Sequence, residues 1–233
     1  MNLMDRRGFF SGAAASLAVL VSPDVSAETG RQLDPADWKM ASFDQLLKQH
    51  YEIKQLYDVT EVDDGNAFFH ILNSLIGLEV GFGIDNDRIK IVAALRAKAT
   101  VMNFNDSLWE KYHIGESMHI KDPKTGKPAT RNIFYPSASG SPANHPSDDL
   151  RNGGPAEQDS SIQALQARGV QLLACHMAIR GESMSLAKKF SLKQPDVLHD
   201  LQTNLLPGVL IVPSMVSAIA VLESKGHFGY LRM

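Results

Sequence analysis

Cysteine is almost missing from this 233-residue chain: Cys175 is the only one. An internal disulfide is therefore impossible, and the fold must be held by packing and hydrogen bonds rather than by the staples common in exported domains. The eight histidines show no HxH, HExxH or CxxH spacing, so a zinc or c-type haem site has no sequence-local support. GxGxxG, Walker and GxSxG motifs are also absent, which removes the sequence basis for a nucleotide site or a serine hydrolase. No basic run follows the first residues and the net charge is −3, which argues against a nucleic-acid partner. No later segment reaches the roughly 20 apolar residues of a membrane span. Internal repeats are lacking too. With 44% apolar and 21% charged residues, the chain has the balance of an ordinary globular protein.

What the N-terminus does contain is ordered. Arg6-Arg7 is followed after one residue by Phe9-Phe10, and an uncharged stretch of small and apolar residues then runs to Val21. Val25-Ser26-Ala27 supplies the small-x-small pattern of a cleavage site before Glu28. The succession resembles a twin-arginine (Tat) signal peptide over residues 1–27, with Asp5 where Ser or Thr is more usual. The segment Phe9–Val21 is too short to span a bilayer. A periplasmic, exported protein without stable membrane insertion is expected. Tat substrates cross the membrane already folded, often after taking up a cofactor or assembling.

Residues 28–60 read as an N-terminal arm with a short helix near Phe43–Gln49, and Ile53–Val62 reads as a strand. Asp63-Asp64-Gly65-Asn66 is a turn before a helix over Ala67–Phe82, whose apolar residues recur at helical spacing. Arg88–Leu95 alternates and is β-branched, so a strand is predicted, with a short helix over Asp106–Tyr112. From about 116 to 160 the chain becomes a Pro/Gly-rich insertion, with Pro123, Pro128, Pro136, Pro142, Pro146 and Pro155. Beyond it come a helix Ser161–Arg168, a buried strand Val170–Ala174, and a helix turn or two over Ser183–Phe190. Pro195 is expected to break the next segment. A strand Gly208–Val212, a helix from the Ser214 cap to Ser224, and an edge strand Phe228–Arg232 complete the pattern. Strands alternating with helices predict an α/β fold with a mostly parallel sheet covered on both faces.

The C-terminal segment carries a resemblance. Gly169–Cys175 is followed by Pro207-Gly208-Val209-Leu210-Ile211-Val212-Pro213-Ser214, a helix with Ile219 and Leu222, and Lys225-Gly226-His227-Phe228-Gly229-Tyr230-Leu231. Phe69-His70-Ile71-Leu72-Asn73 and Trp109-Glu110-Lys111-Tyr112 stand at matching earlier positions. This order is similar to the DsrE/DsrF-like proteins of sulfur metabolism, over residues 61–233 with the insertion interrupting. The resemblance implies a flavodoxin-like three-layer sandwich with a five-stranded sheet. It also implies a homo-oligomer (trimer or hexamer) and, for some members, a persulfide on the cysteine after the inner strand. That position is Cys175. The carriers of this kind work in the cytoplasm, so the expected export implies other relay partners, a sulfur donor or acceptor in the periplasm.

Cys175 has two readings that the residues alone leave open. At the carboxyl end of a strand it stands where ligand sites of open α/β sheets lie, and a following helix would favour a thiolate, with His176 or Arg180 supplying positive charge. Alternatively it is a small hydrophobe closing the strand. His70 and Asn73 form a polar stripe with Gly77 on the first long helix; they either face a pocket, as cofactor-binding residues, or are satisfied by their surroundings. No cofactor is specified, and haem or a metal shared with a neighbouring subunit stays open. A carrier of sulfur and a non-enzymatic module binding a small ligand or cofactor are the two leading functions. The third is a structural subunit whose insertion engages a partner.

Overall fold

Five strands run side by side in one direction in a computed structural model, which describes residues 40–136, 150–151 and 158–233. They belong to one compact unit, Pro35–Met233; the signal peptide expected over 1–27 and residues 28–39 of the arm lie outside the described residues. The strands are β1 (Ile53–Val59), β2 (Ile89–Leu95), β3 (Gln171–Cys175), β4 (Leu210–Val212) and β5 (Gly229–Arg232), in the spatial order β4-β3-β2-β1-β5. All four pairings are parallel, with Ile53 opposite Ile89, Val92 opposite Gln171, Leu173 opposite Leu210 and Gln55 opposite Gly229. Inner strands buried on both faces cannot alternate apolar and polar, and accordingly β2 reads Ile-Lys-Ile-Val-Ala-Ala-Leu.

Two apolar clusters mark the two faces. Tyr57, Val59, Ile91, Ala93, Leu95, Leu172 and Ala174 point to one side. There they meet α2 (Asn66–Ile76), α3 (Asp106–Lys111), α4 (Ile114–Ser117), α5 (Ile162–Ala167), α6 (His176–Phe190) and α7 (Gln194–Thr203). Leu56, Val92, Ala94, Leu173, Cys175, Leu210 and Val212 point to the other, against α1 (Met40–Lys48) and α8 (Met215–Ser224). The fold is thus the expected α/β sandwich with a flavodoxin-like layering. α1 and β1 are integral to it, so the sandwich begins well before residue 61.

The connections explain why α8 is set apart. From β1 to β4 each crossover steps one strand along in the same direction, and all its helices pack on the α2 face. From β4 to β5 the chain travels back past β3, β2 and β1. Parallel crossovers are right-handed, so reversing the direction of travel requires the helix to lie on the opposite face. The ends of β3 and β4 therefore diverge, one chain leaving to each side. Such a divergence is the topological switch point where open α/β sheets leave a crevice.

Several elements differ from the sequence expectation. α6 begins at His176, directly after β3, instead of at Ser183. Its buried positions His176, Ile179, Ser183, Leu186 and Ala187 are helically spaced, but two are polar, which hides the stripe. Pro195 does not break the chain; it sits in the first turn of α7, where its missing N–H costs nothing. α2 ends at Ile76 and continues as a single wider turn, Gly77–Gly81. The described start of the 116–160 insertion is packed rather than loose: Ile120, Ala129 and Phe134 are buried. Asn132 is fully buried there, its amide donating to the carbonyls of Met102 at 2.9 Å and Phe104 at 2.8 Å. Residues 137–149 and 152–157 of the insertion lie outside the described residues.

Candidate functional site

Strand alternation places a row of chemically active side chains along the carboxyl edge of the sheet, on the α8 face. Leu56, Val92, Ala94, Leu173 and Cys175 point to that face, and Asp58 near the carboxyl end of β1 shares the parity of Leu56. Arg96 follows β2 in extended conformation (φ −138°, ψ 175°), and its N–H continues the ladder by donating to Val59 O at 3.0 Å. The register sets Leu95 opposite Ala174, so Arg96 is level with Cys175 on the neighbouring strand and projects to the same face. Tyr230 on β5 is opposite Leu56 and reaches the same row.

Three of these groups are joined. Arg96 donates twice to the Asp58 carboxylate, from Nε at 2.7 Å and from Nη2 at 2.8 Å. Tyr230 donates its hydroxyl to Asp58 Oδ2 at 2.8 Å. The Asp58 side chain is only 2% exposed, and burial alone would raise its carboxyl. The hydrogen bonds from Arg96 and Tyr230, with the charges of Arg96 and Arg232, outweigh burial and hold the group below the ordinary carboxylate range. The bond to Asp58 raises Arg96 in turn, and raises the Tyr230 phenol. The Cys175 thiol lies near enough to add a further, smaller rise to Arg96.

Cys175 itself is buried in the α8-face cluster. Its Sγ accepts the backbone N–H of Met215, the first residue of α8, at 3.4 Å. Ser214 is the cap residue of that helix, as the sequence predicts, but its side chain makes no capping bond, while the sulfur takes the N–H of the first helical residue. The thiol therefore stands at a helix N-terminus, at the switch point between β3 and β4, with the Arg96 backbone level with it at the end of β2 and the guanidinium turned to Asp58 on β1. It can act as a nucleophile there if an electrophilic sulfur reaches it.

The other residues singled out from the sequence are placed elsewhere. His176 is buried on the α2 face, its Nδ1 3.1 Å from Gln202 Nε2 of α7, so the structure does not bring its ring to the Cys175 thiol. Successive residues leaving a strand point to opposite faces, and that parity separates the pair. Arg180 is exposed one turn into α6, and its carbonyl accepts the Ser183 hydroxyl at 2.7 Å. His70 and Asn73 are exposed on α2, with the His70 ring edge-on to Phe69 at 6.0 Å. Neither lines the cleft of about 440 Å³ at the end of β1, whose walls include Val59, Glu61, Asp63, Asn66 and Met233. Among the described residues, no group of three or more His, Cys, Asp or Glu side chains is arranged to hold a metal ion.

Asp58 and Arg96 escaped the sequence reading, although each carried a signal. An acidic residue inside an apolar inner strand, and an arginine directly after one, are charges where burial makes them expensive unless paired. Thr100 and Asn103, in the 3₁₀ turn Ala97–Asn103, are a further pair the sequence did not flag: both are fully buried, and the Thr100 hydroxyl and both Asn103 amide atoms lack a partner.

No family model matches the chain, and no curated protein matches it.

Proposed function

We propose that the chain is an exported sulfur-handling protein of the DsrE/DsrF-like kind, in which Cys175 carries a sulfane sulfur as a persulfide. The observation that supports this reading is the position of the thiol: it ends an inner strand at the switch point, accepts an N–H from the first residue of α8, and neighbours Arg96. The thiolate is the attacking form of a cysteine, and helix N-termini are places where proteins pair anions with unbonded N–H groups. In the loading step the Cys175 thiolate attacks a terminal sulfur of a polysulfide. The new S–S bond forms as the donor's S–S bond breaks, and the shortened polysulfide leaves with the electron pair. The protein is a carrier in this reading: it holds and passes on sulfur, and the periplasmic donor or acceptor completes the chemistry. His176, whose ring lies against Gln202 on the other face, does not support the thiol in this reading.

Intact-mass analysis after exposure to polysulfide tests this. Adducts in steps of about 32 Da, removed by a thiol reductant and absent from Cys175→Ser, are expected. No adduct, or adducts that persist in Cys175→Ser, would sink the reading. The address rests on Arg6-Arg7 and the small-x-small site. A mature N-terminus at Glu28, and loss of export on replacing both arginines by lysine, are the expected results.

A second reading is a binding module for a small ligand, favoured by the cleft beyond β1. Asp63 in its wall opens the run Asp63, Asp64 and Gly65, all at positive φ (39°, 49° and 80°), a conformation that costs energy for the two aspartates. Co-purification of a small molecule with the full chain, lost on Asn66→Leu in the cleft wall, would favour this reading over the first.

A further inference from the structure

The two edges of the sheet are unlike. β4 is three residues long, with Pro207-Gly208 before it and Pro213 after it, so prolines without N–H groups close both of its ends. β5 is the other edge, and Gly229-Tyr230-Leu231-Arg232 carries neither Pro nor Lys. Backbone parity fixes which of its groups face outward. Met233 N–H donates to Asp58 O at 3.0 Å, so Met233, Leu231 and Gly229 turn their N–H and C=O toward β1. Tyr230 and Arg232 turn theirs the other way, where, among the described residues, no strand lies. The whole of β5 is exposed, and Tyr230 (42%) and Leu231 (37%) are among the large side chains with apolar surface left open. Side-chain parity sets Tyr230 and Arg232 on the α8 face and Leu231 on the α2 face.

We infer that the outer edge of β5 pairs antiparallel with β5 of a second copy of this chain, about a two-fold axis through Leu231. Opposite residues of an antiparallel pair share a face, so only registers that join like parity are open to the two strands. The register centred on Leu231 sets Tyr230 opposite Arg232 of the second copy, and Arg232 opposite its Tyr230. These are the outward-facing residues, so every outward N–H and C=O of the strand finds a partner. A register centred on Tyr230 would oppose Arg232 to Phe228, whose N–H is already given to Leu222 O at 3.1 Å. One centred on Arg232 sets Tyr230 beyond the end of the strand. The side chains agree with the Leu231 register. Leu231 meets its own copy on the α2 face, and on the α8 face the Arg232 guanidinium meets the Tyr230 ring, a cation against an aromatic. A foreign strand would have to supply both an apolar residue and a cation at that spacing; this strand carries both. The product is a continuous sheet of ten strands, five from each copy, with the proline-closed β4 at both ends, so pairing stops at two copies. The Asp58–Arg96–Tyr230 rows of the two copies then share one face beside the axis. A ring of three cannot use this two-fold contact, whereas in a hexamer it would join the trimers.

Solution mass, amide exchange and cross-linking of the full chain test the pairing. The molar mass is expected to rise toward twice that of the monomer as concentration is raised. Leu231→Lys, which sets two like charges opposite each other across the axis, should weaken association by about tenfold. Amide hydrogen exchange needs no substitution: Tyr230 and Arg232 should slow as the dimer forms and recover on dilution. Leu231→Cys should link two copies by a disulfide under mild oxidation, because residues facing each other in a non-hydrogen-bonded antiparallel pair lie within disulfide reach. Gly229→Cys should not, since its counterpart lies about 13 Å away at about 3.4 Å per residue. A Cβ at Gly229 meets only Lys54 O at 3.7 Å, so that variant is not strained. A monomer at every concentration up to about 1 mM would overturn the inference. So would a dimer that Leu231→Lys leaves as tight as before, or linking at position 229 in preference to 231. Tyr230 and Arg232 amides already protected in the monomer would overturn it too, because another part of the same chain would then cover the edge.

Discussion

Asp58 is the residue on which the carboxyl edge of the sheet depends. It accepts three side-chain hydrogen bonds while almost wholly buried, so its charge is tolerable only because Arg96 and Tyr230 meet it. Replacing it by asparagine leaves the Arg96 guanidinium half-buried without its counter-charge, and a loss of about 2–4 kcal/mol in denaturant unfolding is expected. Acid should reveal the same contact. The folded carboxyl is held below its ordinary value of 3.8, so its stabilisation is fully present above that value and drains away as pH falls further, through the folded pKa. Stability measured from pH 6 downward should therefore decline less steeply below about pH 4 in Asp58→Asn than in the unaltered protein. Parallel profiles would show that the carboxylate is not what holds the edge. Asn103 poses the opposite case: an amide buried without partners weakens the fold, by about 1–3 kcal/mol for each polar group left unpaired, and nothing else in the fold explains it.

Among the elements, α6 and α4 provide a matched pair of glycines. Gly181 lies inside α6, where an added Cβ would meet nothing within 4 Å. Gly181→Ala should stabilise the protein by about 0.5–1 kcal/mol, the helix-propensity difference. Gly115 lies in α4, where a Cβ would run into the backbone of Ala129. Gly115→Ala should cost about 2 kcal/mol or more, because the described start of the insertion must be pushed off the core. Thermal or denaturant unfolding of the two variants decides both; the expectation fails if their signs agree. The same elements show how legible the chain was. Strands β2, β3 and β4 and helix α8 could be read from apolar runs closed by turn residues, since an inner parallel strand has no choice but to be apolar. The first two turns of α6 could not, because His176 and Ser183 occupy core-facing positions. They are satisfied by partners on α7: Gln202 lies against His176, and Gln194 donates to the Ser183 hydroxyl at 2.8 Å.

At the scale of the whole molecule, a single buried cysteine makes stability independent of redox conditions. Unfolding midpoints with and without reductant should coincide, and a difference above about 1 kcal/mol would mean that Cys175 is linked between chains. Among the described residues no helix is long and apolar enough to cross a membrane. The reversal of chain direction after β4 shapes the molecule most. It puts α8 alone with α1 on one face and opens the sheet edge between β3 and β4, where the Cys175 sulfur is found. Local pattern was enough to give the alternation of strands and helices, the parallel sheet and the place of Cys175 at a strand end, because each of these follows from side-chain parity and turn chemistry within a few residues. It could not give the strand order, the pairing of Asp58 with Arg96 and Tyr230, or the separation of His176 from the thiol. Those join residues 38 and 172 positions apart, or divide neighbours by which face they leave from. Only the closed sheet, with its register and the hand of its crossovers, decides them.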